Sequence, residues 1–249
     1  MIEHIVWDWN GTLFADSGAL IAATIDAFRD CGLPAVTTAG YQRHHTQPIP
    51  VFYERLAGRT LTGDEQRRLA ERFLVAYTQH RTTAALTPDA VTALTRWAGT
   101  GRRQSLLSMY PHEALLPLVE AAGIGALLTR IDGSTGVDVA HKAPHLDRHL
   151  RAQGLDPAGV LLVGDSVDDV RAARACGVRS LVYHSGDRAL HALDHFDAFG
   201  LPVVTTLGEA VGWALEQGED QAHPTHVRAK GRTSSRSAGI GPPHRSQTP

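Results

Sequence analysis

The sequence predicts an α/β fold: a doubly wound parallel sheet with a small all-helical domain inserted into it. Short apolar runs of strand length, at positions 5–7, 106–107 and 159–163, alternate with segments of helical periodicity. Residues from about 37 to 82 have a helical pattern throughout, and no strand-like alternation interrupts them. Strands that alternate with helices are typical of a parallel sheet covered on both faces.

The N-terminal half predicts one strand followed by a block of helices. The first strand ends at Asp8 and a Gly-Thr turn follows it. Asp16 or Ser17 can cap a helix through residues 19–28. Thr62 and Glu65 have the spacing of a capping box, which predicts the start of another helix there.

The C-terminal half alternates between the two types of element. We predict helices at 90–98, 112–122, 144–153, 167–176 and 210–215, and strands ending at Ser108, near 127–131, at 159–163, at 180–183 and near 203. The predicted domains are therefore an α/β core of residues 1–14 and 86–217 and a helical insert of residues 15–85.

Residues 218–249 differ in composition from the rest of the chain. They are rich in Gly, Pro, Ser, Arg and His and nearly lack large apolar side chains, so burial cannot offset the entropy of ordering them. We predict a disordered, mildly basic tail. A tail that touches phosphate or RNA through Arg228, Lys230, Arg232 and Arg236 is the alternative.

Composition limits the partners and the compartment. A formal net charge of −2 does not indicate a general attraction to nucleic acid or anionic membranes. No apolar run reaches membrane-spanning length, the N-terminus has no signal-peptide pattern, and two cysteines cannot form a disulfide framework. We expect a cytoplasmic monomer or homodimer with no nucleic-acid or membrane partner.

Polar residues follow the predicted strands in an ordered series. Asp8 follows the first strand, Ser108 the second, and Asp165 a strongly apolar run that continues as Gly-Asp-Ser-Val-Asp-Asp to Asp169. Lys142, one of two lysines in the sequence, lies between the last two. Ligands of open α/β sheets bind outside the carboxyl ends of the strands, so this series predicts the active site.

The chain resembles the haloacid dehalogenase-like hydrolases, whose four motifs match, in this order, WDWNGTL, LLS, HKAP and VGDSVDD. The resemblance is to the phosphoglycolate phosphatase-like branch, which has a C1-type helical cap. The resemblance covers about residues 1–215. It implies a phosphatase that requires Mg²⁺, hydrolyses a small phosphorylated metabolite and forms an aspartyl-phosphate.

The resemblance also implies a role for each motif residue. Asp8 is the expected nucleophile, Ser108 a hydrogen-bond donor to the phosphoryl group, and Lys142 the cation that neutralises charge and fixes Asp8. Asp8, the backbone carbonyl of Asn10 and Asp165 are the expected Mg²⁺ ligands. Asp169 completes the metal site by orienting metal-bound water, with Asp168 as a possible substitute. Hard oxygen ligands of this kind suit Mg²⁺.

Substrate contacts are expected from both parts of the chain. Thr12, Ser108, Met109 and Lys142 are the candidates at the phosphate. In the cap, Arg43 and Arg55 suit a second anionic group such as a carboxylate, although ordinary solvated helix faces explain them equally. No residue selects phosphoglycolate, a sugar phosphate or a nucleotide.

Asn10 departs from the family pattern, in which a second aspartate protonates the leaving alcohol and activates water. An amide can do neither, and general acid–base catalysis typically contributes about 10²–10⁴-fold. A slow phosphatase and a catalytically weakened binding or regulatory protein therefore both stay open. The absence of lysine from residues 15–85 opposes a phosphonoacetaldehyde hydrolase, and Asn10 itself opposes a phosphomutase. Dehalogenases usually carry an aromatic residue at this position, and retention of Asp165 and Asp169 favours metal-dependent phosphoryl chemistry.

Overall fold

The computed structural model describes residues 1–135 and 140–219. Its sheet has six parallel strands in the order β3-β2-β1-β4-β5-β6, which confirms the predicted fold class. The strands are β1 (His4–Trp7), β2 (Arg103–Pro111), β3 (Ile131–Ser134), β4 (Val160–Gly164), β5 (Arg179–Tyr183) and β6 (Val203–Val204). The chain reverses its direction of winding at β1, so the crevice of the sheet lies between β1 and β4.

The helices lie close to their predicted positions. They are α1 (Ser17–Asp30), α2 (Thr38–His44), α3 (Ile49–Ala57), α4 (Gly63–His80), α5 (Ala90–Ala98), α6 (His112–Ala121), α7 (Ala143–Gln153), α8 (Val167–Ala175) and α9 (Leu207–Glu219). None of the helices within the described residues is both long and apolar enough to cross a membrane.

The prediction of a strand near 127–131 was wrong by several residues. Residues Gly125–Leu127 form a 3₁₀ turn instead, and β3 begins at Ile131. Ile124 and Leu127 pack against the core from this turn, so their apolar character reflects burial of a turn rather than a strand. Gly133 in β3 passes so close to His112 that a Cβ atom there would lie 2.5 Å from the His112 Cα atom.

The core has two apolar layers, one on each face of the sheet, and β1 is buried between them. Ile5 and Trp7 point into a cluster with α5, α6 and α9, whereas Val6 points into a second cluster with α7 and α8. Successive strand side chains point to opposite faces, which is why a continuous apolar run suits this central position.

Helices α1–α4 form the cap. They have their own apolar cluster, in which Phe28, Phe52 and Leu69 are fully buried, and α1 packs against α4. The predicted capping box is present at the start of α4, since the Thr62 hydroxyl accepts from the Glu65 amide and Glu65 accepts from the Thr62 amide.

The chain leaves and re-enters the core at neighbouring points. The Ala15 amide donates to the Ala85 carbonyl at 2.9 Å, and Phe14 and Leu86 form an antiparallel bridge. These contacts lie where the sequence predicts the boundaries between core and cap. The predicted tail lies outside the described residues from residue 220 onward.

Candidate active site

The carboxyl ends of β1 and β4 bring two aspartates together. Trp7 is opposite Val163 in the parallel register, and the Asp8 amide donates to the Val163 carbonyl at 2.9 Å. Asp8 therefore lies beside the turn that carries Asp165. Both carboxylates are buried, as is Asp169 in the first turn of α8.

Lys142 is the cation of this cluster. It occupies the N-cap position of α7, is buried, and its Nζ atom forms ion pairs with Oδ1 of Asp8 and Oδ1 of Asp169. Burial opposes the charge, but the neighbouring Asp169 and Asp8 carboxylates raise the pKa of Lys142 overall, so it stays protonated. The Asp168 carboxylate accepts from the Lys142 amide at 2.8 Å and thereby holds the start of α7.

The three carboxylates outnumber this single ammonium group. Oxygen atoms of Asp8, Asp165 and Asp169 all lie within 4.8 Å of one another. Burial raises the pKa of Asp8 to about 7, against the opposing effect of Lys142. Burial and the Asp8 charge likewise raise the pKa of Asp165. A bound cation would relieve this excess of negative charge.

The donor set fits a hard divalent cation such as Mg²⁺. The Oδ2 atom of Asp165 is buried and has no hydrogen-bond partner among the described residues, so it is available as a ligand. Gly11, at φ +76°, keeps this space open, because a Cβ atom on it would collide with the Asp165 carboxylate. Oxygen ligands with several remaining water positions are typical of Mg²⁺ sites.

Asn10 is held by two side chains that the sequence analysis did not assign to the site. Its Nδ2 atom donates to Oδ2 of Asp16 at 2.6 Å and to the Tyr77 hydroxyl at 3.1 Å. The Tyr77 hydroxyl also donates to Asp16 at 2.5 Å, and the Gly11 amide donates to the other Asp16 oxygen at 2.9 Å. Burial raises the pKa of Asp16, although these hydrogen bonds oppose the shift.

The position of Asp16 before α1 predicts a helix cap, but its side chain has another role in the structure. Asp16 is the N-cap residue of α1, as predicted, yet its side chain makes no capping hydrogen bond and turns toward Asn10. Tyr77 lies on the helix α4 with no feature in the sequence that separates it from a core residue. Its hydroxyl links the cap to the end of β1.

The remaining predicted residues lie in three different places. Ser108 is buried at the site, where its hydroxyl donates to Oδ1 of Asn10 at 3.5 Å and accepts from the Tyr110 amide at 3.0 Å. Thr12 is fully buried, and its hydroxyl has no partner among the described residues. Arg43 on α2 and Arg55 on α3 are exposed.

A cavity of about 670 Å³ opens from the acidic cluster toward the cap. Asp8, Asn10, Ser108 and Lys142 line its inner end, and Met109 lies beside them. Thr12, Arg43 and Arg55 are not among its lining residues. The cap contributes mainly apolar and aromatic side chains: Leu20, Tyr41, Ile49, Phe52, Tyr53, Phe73, Leu74 and Tyr77.

Curated relatives are similar over most of the chain. A phosphoglycolate phosphatase of Mesorhizobium japonicum is 27% identical over 221 residues, which cover 84% of this chain and 97% of that protein. A phosphoglycolate phosphatase of Yersinia pseudotuberculosis is 32% identical over 186 residues, which cover 71% of this chain and 78% of that protein.

A solved structure and a family model agree with this likeness. The crystal structure of a predicted phosphatase from Clostridium acetobutylicum matches with a TM-score of 0.74 at 11% identity, over 87% of this chain and 99% of that one, and supports the fold alone. The model of the haloacid dehalogenase-like hydrolases matches residues 2–177, more than half of the chain. Together with the four motifs at the strand ends, this match shows that the chain belongs to the haloacid dehalogenase-like hydrolases.

Proposed function

We propose that this protein is a Mg²⁺-dependent phosphatase that hydrolyses a small phosphorylated metabolite through an aspartyl-phosphate on Asp8. The observation that carries the proposal is the buried cluster of Asp8, Asp165, Asp169 and Lys142 at the inner end of the cavity. The names of the curated relatives support phosphate-ester hydrolysis. We propose no particular metabolite on that basis.

The nucleophile in this proposal is a carboxylate oxygen of Asp8. It attacks the phosphorus atom, the bond from phosphorus to the ester oxygen breaks, and the electron pair leaves with that oxygen. Water then attacks the acyl phosphate and releases inorganic phosphate and free Asp8. Lys142 holds one Asp8 oxygen and places positive charge beside the transferring group.

The residues that would hold Mg²⁺ are Asp8, Asp165, the backbone carbonyl of Asn10 and, by orienting its waters, Asp169. When bound, the ion supplies positive charge that relieves the repulsion between the Asp8 carboxylate and the phosphate. Ser108, next to Asn10, is placed to donate a hydrogen bond to a phosphate oxygen. The Asn10 amide cannot give a proton to the leaving group.

Phosphate release by an Asp8→Asn variant tests the proposal. We expect the wild-type protein to hydrolyse para-nitrophenyl phosphate with Mg²⁺ and to stop in EDTA. The variant should lose at least about 10³-fold in turnover, because the nucleophile is missing. Asp147→Asn is the matched control, since Asp147 lies on the surface of α7 with its side chain 51% exposed. Wild-type turnover by the Asp8 variant would contradict the proposal.

A second candidate function is binding without turnover. The observation in its favour is that Asn10 has no acid–base capacity and is fixed by Asp16 and Tyr77. Such a protein would be stabilised by Mg²⁺ and phosphate in a thermal unfolding assay but would release no phosphate from any ester. Measurable turnover that depends on Asp8 excludes this candidate.

A further inference from the structure

The cavity beyond the acidic cluster has a chemical character of its own. Its inner end is charged, but its walls toward the cap are formed by side chains from α1, α2, α3 and α4 together with the carboxyl end of β2. Six of these side chains are those of Phe or Tyr: Tyr41, Phe52, Tyr53, Phe73, Tyr77 and Tyr110. A phosphate bound at Asp8 would therefore direct the organic part of its ester into an apolar, largely aromatic space.

Within residues 1–135 and 140–219, no lysine or arginine lines this outer part of the cavity. Among its lining residues in the described chain, Lys142 is the one lysine or arginine, and it is committed to Asp8 and Asp169. Arg43 and Arg55 are exposed outside it. His45 lines the cavity, but burial lowers its pKa to about 4, so it is neutral at pH 7. A second anionic group would lose much of its hydration here without gaining a cationic partner from the lining residues.

The aromatic walls favour a flat apolar group over a polar one of similar size. Phe73 and Tyr77 lie parallel with ring centroids 5.7 Å apart, and Tyr110 meets Tyr77 edge-on at 6.3 Å. A further ring can pack on such side chains in the same stacked or edge-on arrangements. The volume of about 670 Å³ is in the range of pockets that bind whole organic ligands.

The chemical properties of the Asn10 side chain favour the same class of substrate. With an amide at this position, the ester oxygen leaves without a proton from this residue. An alkoxide is a poor leaving group under these conditions, whereas a phenolate spreads its charge over the ring and departs readily. The loss of the acid is therefore least harmful when the leaving oxygen is phenolic.

We propose that the substrate is an aryl phosphate: the phosphate monoester of an apolar phenol, with its ring between α4 and the carboxyl end of β2. This inference rests on the proposed function, since it names the substrate class of that same site. In the reaction, Asp8 takes the phosphoryl group, the phosphorus–oxygen bond breaks, and the phenolate leaves with the electron pair and takes its proton from water.

Four phosphate esters test separately the two requirements of this inference, an apolar organic group and a phenolic leaving oxygen. 1-Naphthyl phosphate has an apolar phenolic leaving group, 3-carboxyphenyl phosphate is phenolic with a second anion, and 2-phenylethyl phosphate has a ring but an alkoxide leaving group. Phosphoglycolate is small and carries a second anion. We expect kcat/KM for 1-naphthyl phosphate to exceed each of the others by about tenfold or more. An equal or higher value for any of them overturns the inference.

A charge placed in the cavity wall tests the location. Leu74 lines the cavity and Val75 does not, although they are neighbours on α4 with similar exposure, 58% and 56%. Leu74→Arg adds the missing cation, so the ratio of kcat/KM for 1-naphthyl phosphate to that for phosphoglycolate should fall by about tenfold or more. Val75→Arg should leave this ratio unchanged. Equal ratios in the two variants overturn the proposed location.

Acetyl phosphate distinguishes failure of this inference from failure of the proposed function. It has a good leaving group and is too small to fill the outer cavity. If the protein hydrolyses acetyl phosphate, Asp8→Asn abolishes this activity and 1-naphthyl phosphate is not preferred, then the aryl substrate is wrong but the proposed phosphatase activity is supported. No turnover of any of these compounds overturns both.

Discussion

At the scale of single residues, the active site has an imbalance of charge. Lys142 offers one ammonium group to three buried carboxylates, and it is the single lysine in residues 1–219. A compact ammonium on a flexible stem can fit between two carboxylate oxygens, where a planar guanidinium would need more space. The remaining negative charge supports the proposal that a divalent cation binds here.

Magnesium should stabilise the protein measurably. We expect the melting temperature to rise with MgCl₂ and to fall to its original value in EDTA, because a ligand that binds the folded state adds about 2.7 kcal/mol at a hundred times its Kd. Asp165→Asn removes a charged ligand of nearly the same shape, so the shift should be largely lost. Asp147→Asn should retain it. A full shift in the Asp165 variant would place the ion elsewhere.

Asn10→Asp should change activity and stability in opposite directions. If only the acid–base group is missing, turnover of 2-phenylethyl phosphate rises by roughly tenfold or more. At neutral pH the melting temperature should fall, because a carboxylate would replace the amide that donates to Asp16 at 2.6 Å. Burst kinetics with para-nitrophenyl phosphate report whether the second step limits. Lower turnover with folding and Mg²⁺ binding intact would contradict a simple loss of the acid.

At the scale of elements, histidines join the cap to the core. Nδ1 of His45, which follows α2, lies 3.0 Å from Nε2 of His191, which follows β5. Nδ1 of His191 in turn lies 3.2 Å from Nδ1 of His195. Burial lowers the pKa of His45 to about 4 and that of His191 well below its usual value. The charged or titratable groups around His191 are His45, His195, His184 and Arg171.

Acidification should weaken this contact and the fold. Well above pH 6.5, His45 and His191 are neutral in both the folded and the unfolded state and contribute no pH dependence. Between pH 6.5 and 4 the unfolded chain binds protons that the folded chain does not, so each histidine lowers the free energy of unfolding by at most about 1.4 kcal/mol per pH unit. His45→Asn should flatten the decline in melting temperature, whereas His44→Asn should not. Identical pH profiles of the two variants would contradict this.

At the scale of the whole molecule, one apolar core and one apolar cap meet over the active site. The chain crosses between them twice at neighbouring points, where Ala15 bonds to Ala85 and Phe14 pairs with Leu86. The cap contributes Tyr77 to the hydrogen bonds around Asn10 and the aromatic walls to the cavity. In our proposal, the core therefore carries out the chemistry and the cap selects the organic group of the substrate.

Removal of residues 220–249 should leave the enzyme nearly unchanged. Their composition nearly lacks the large apolar side chains that a folded segment needs to bury. We expect the chain that ends at Glu219 to keep its melting temperature and its kcat/KM for para-nitrophenyl phosphate. A large loss of either would show that this segment contacts the body of the protein or completes the site.

The sequence was sufficient to predict the fold class and which strand-end residues line the inner end of the candidate site. Apolar runs of strand length fix a parallel sheet, and a parallel sheet brings the residues at its carboxyl ends to one edge. Asp8, Ser108 and Asp165 were therefore expected at one edge, and they meet there because β2 and β4 flank β1 in the sheet. The Thr62–Glu65 capping box was equally local and equally predictable.

Which cap side chains line the cavity depends on packing between distant parts of the chain. The rotation of each cap helix is set by its packing, so the sequence could not place Arg43 and Arg55 outside the cavity or Tyr77 inside it. Asp16 could serve equally as a helix cap or as a partner of Asn10, and the contact with Tyr77, 61 residues away, selects the second. Strand ends converge through topology, whereas helix faces are chosen by contacts between residues far apart in the chain.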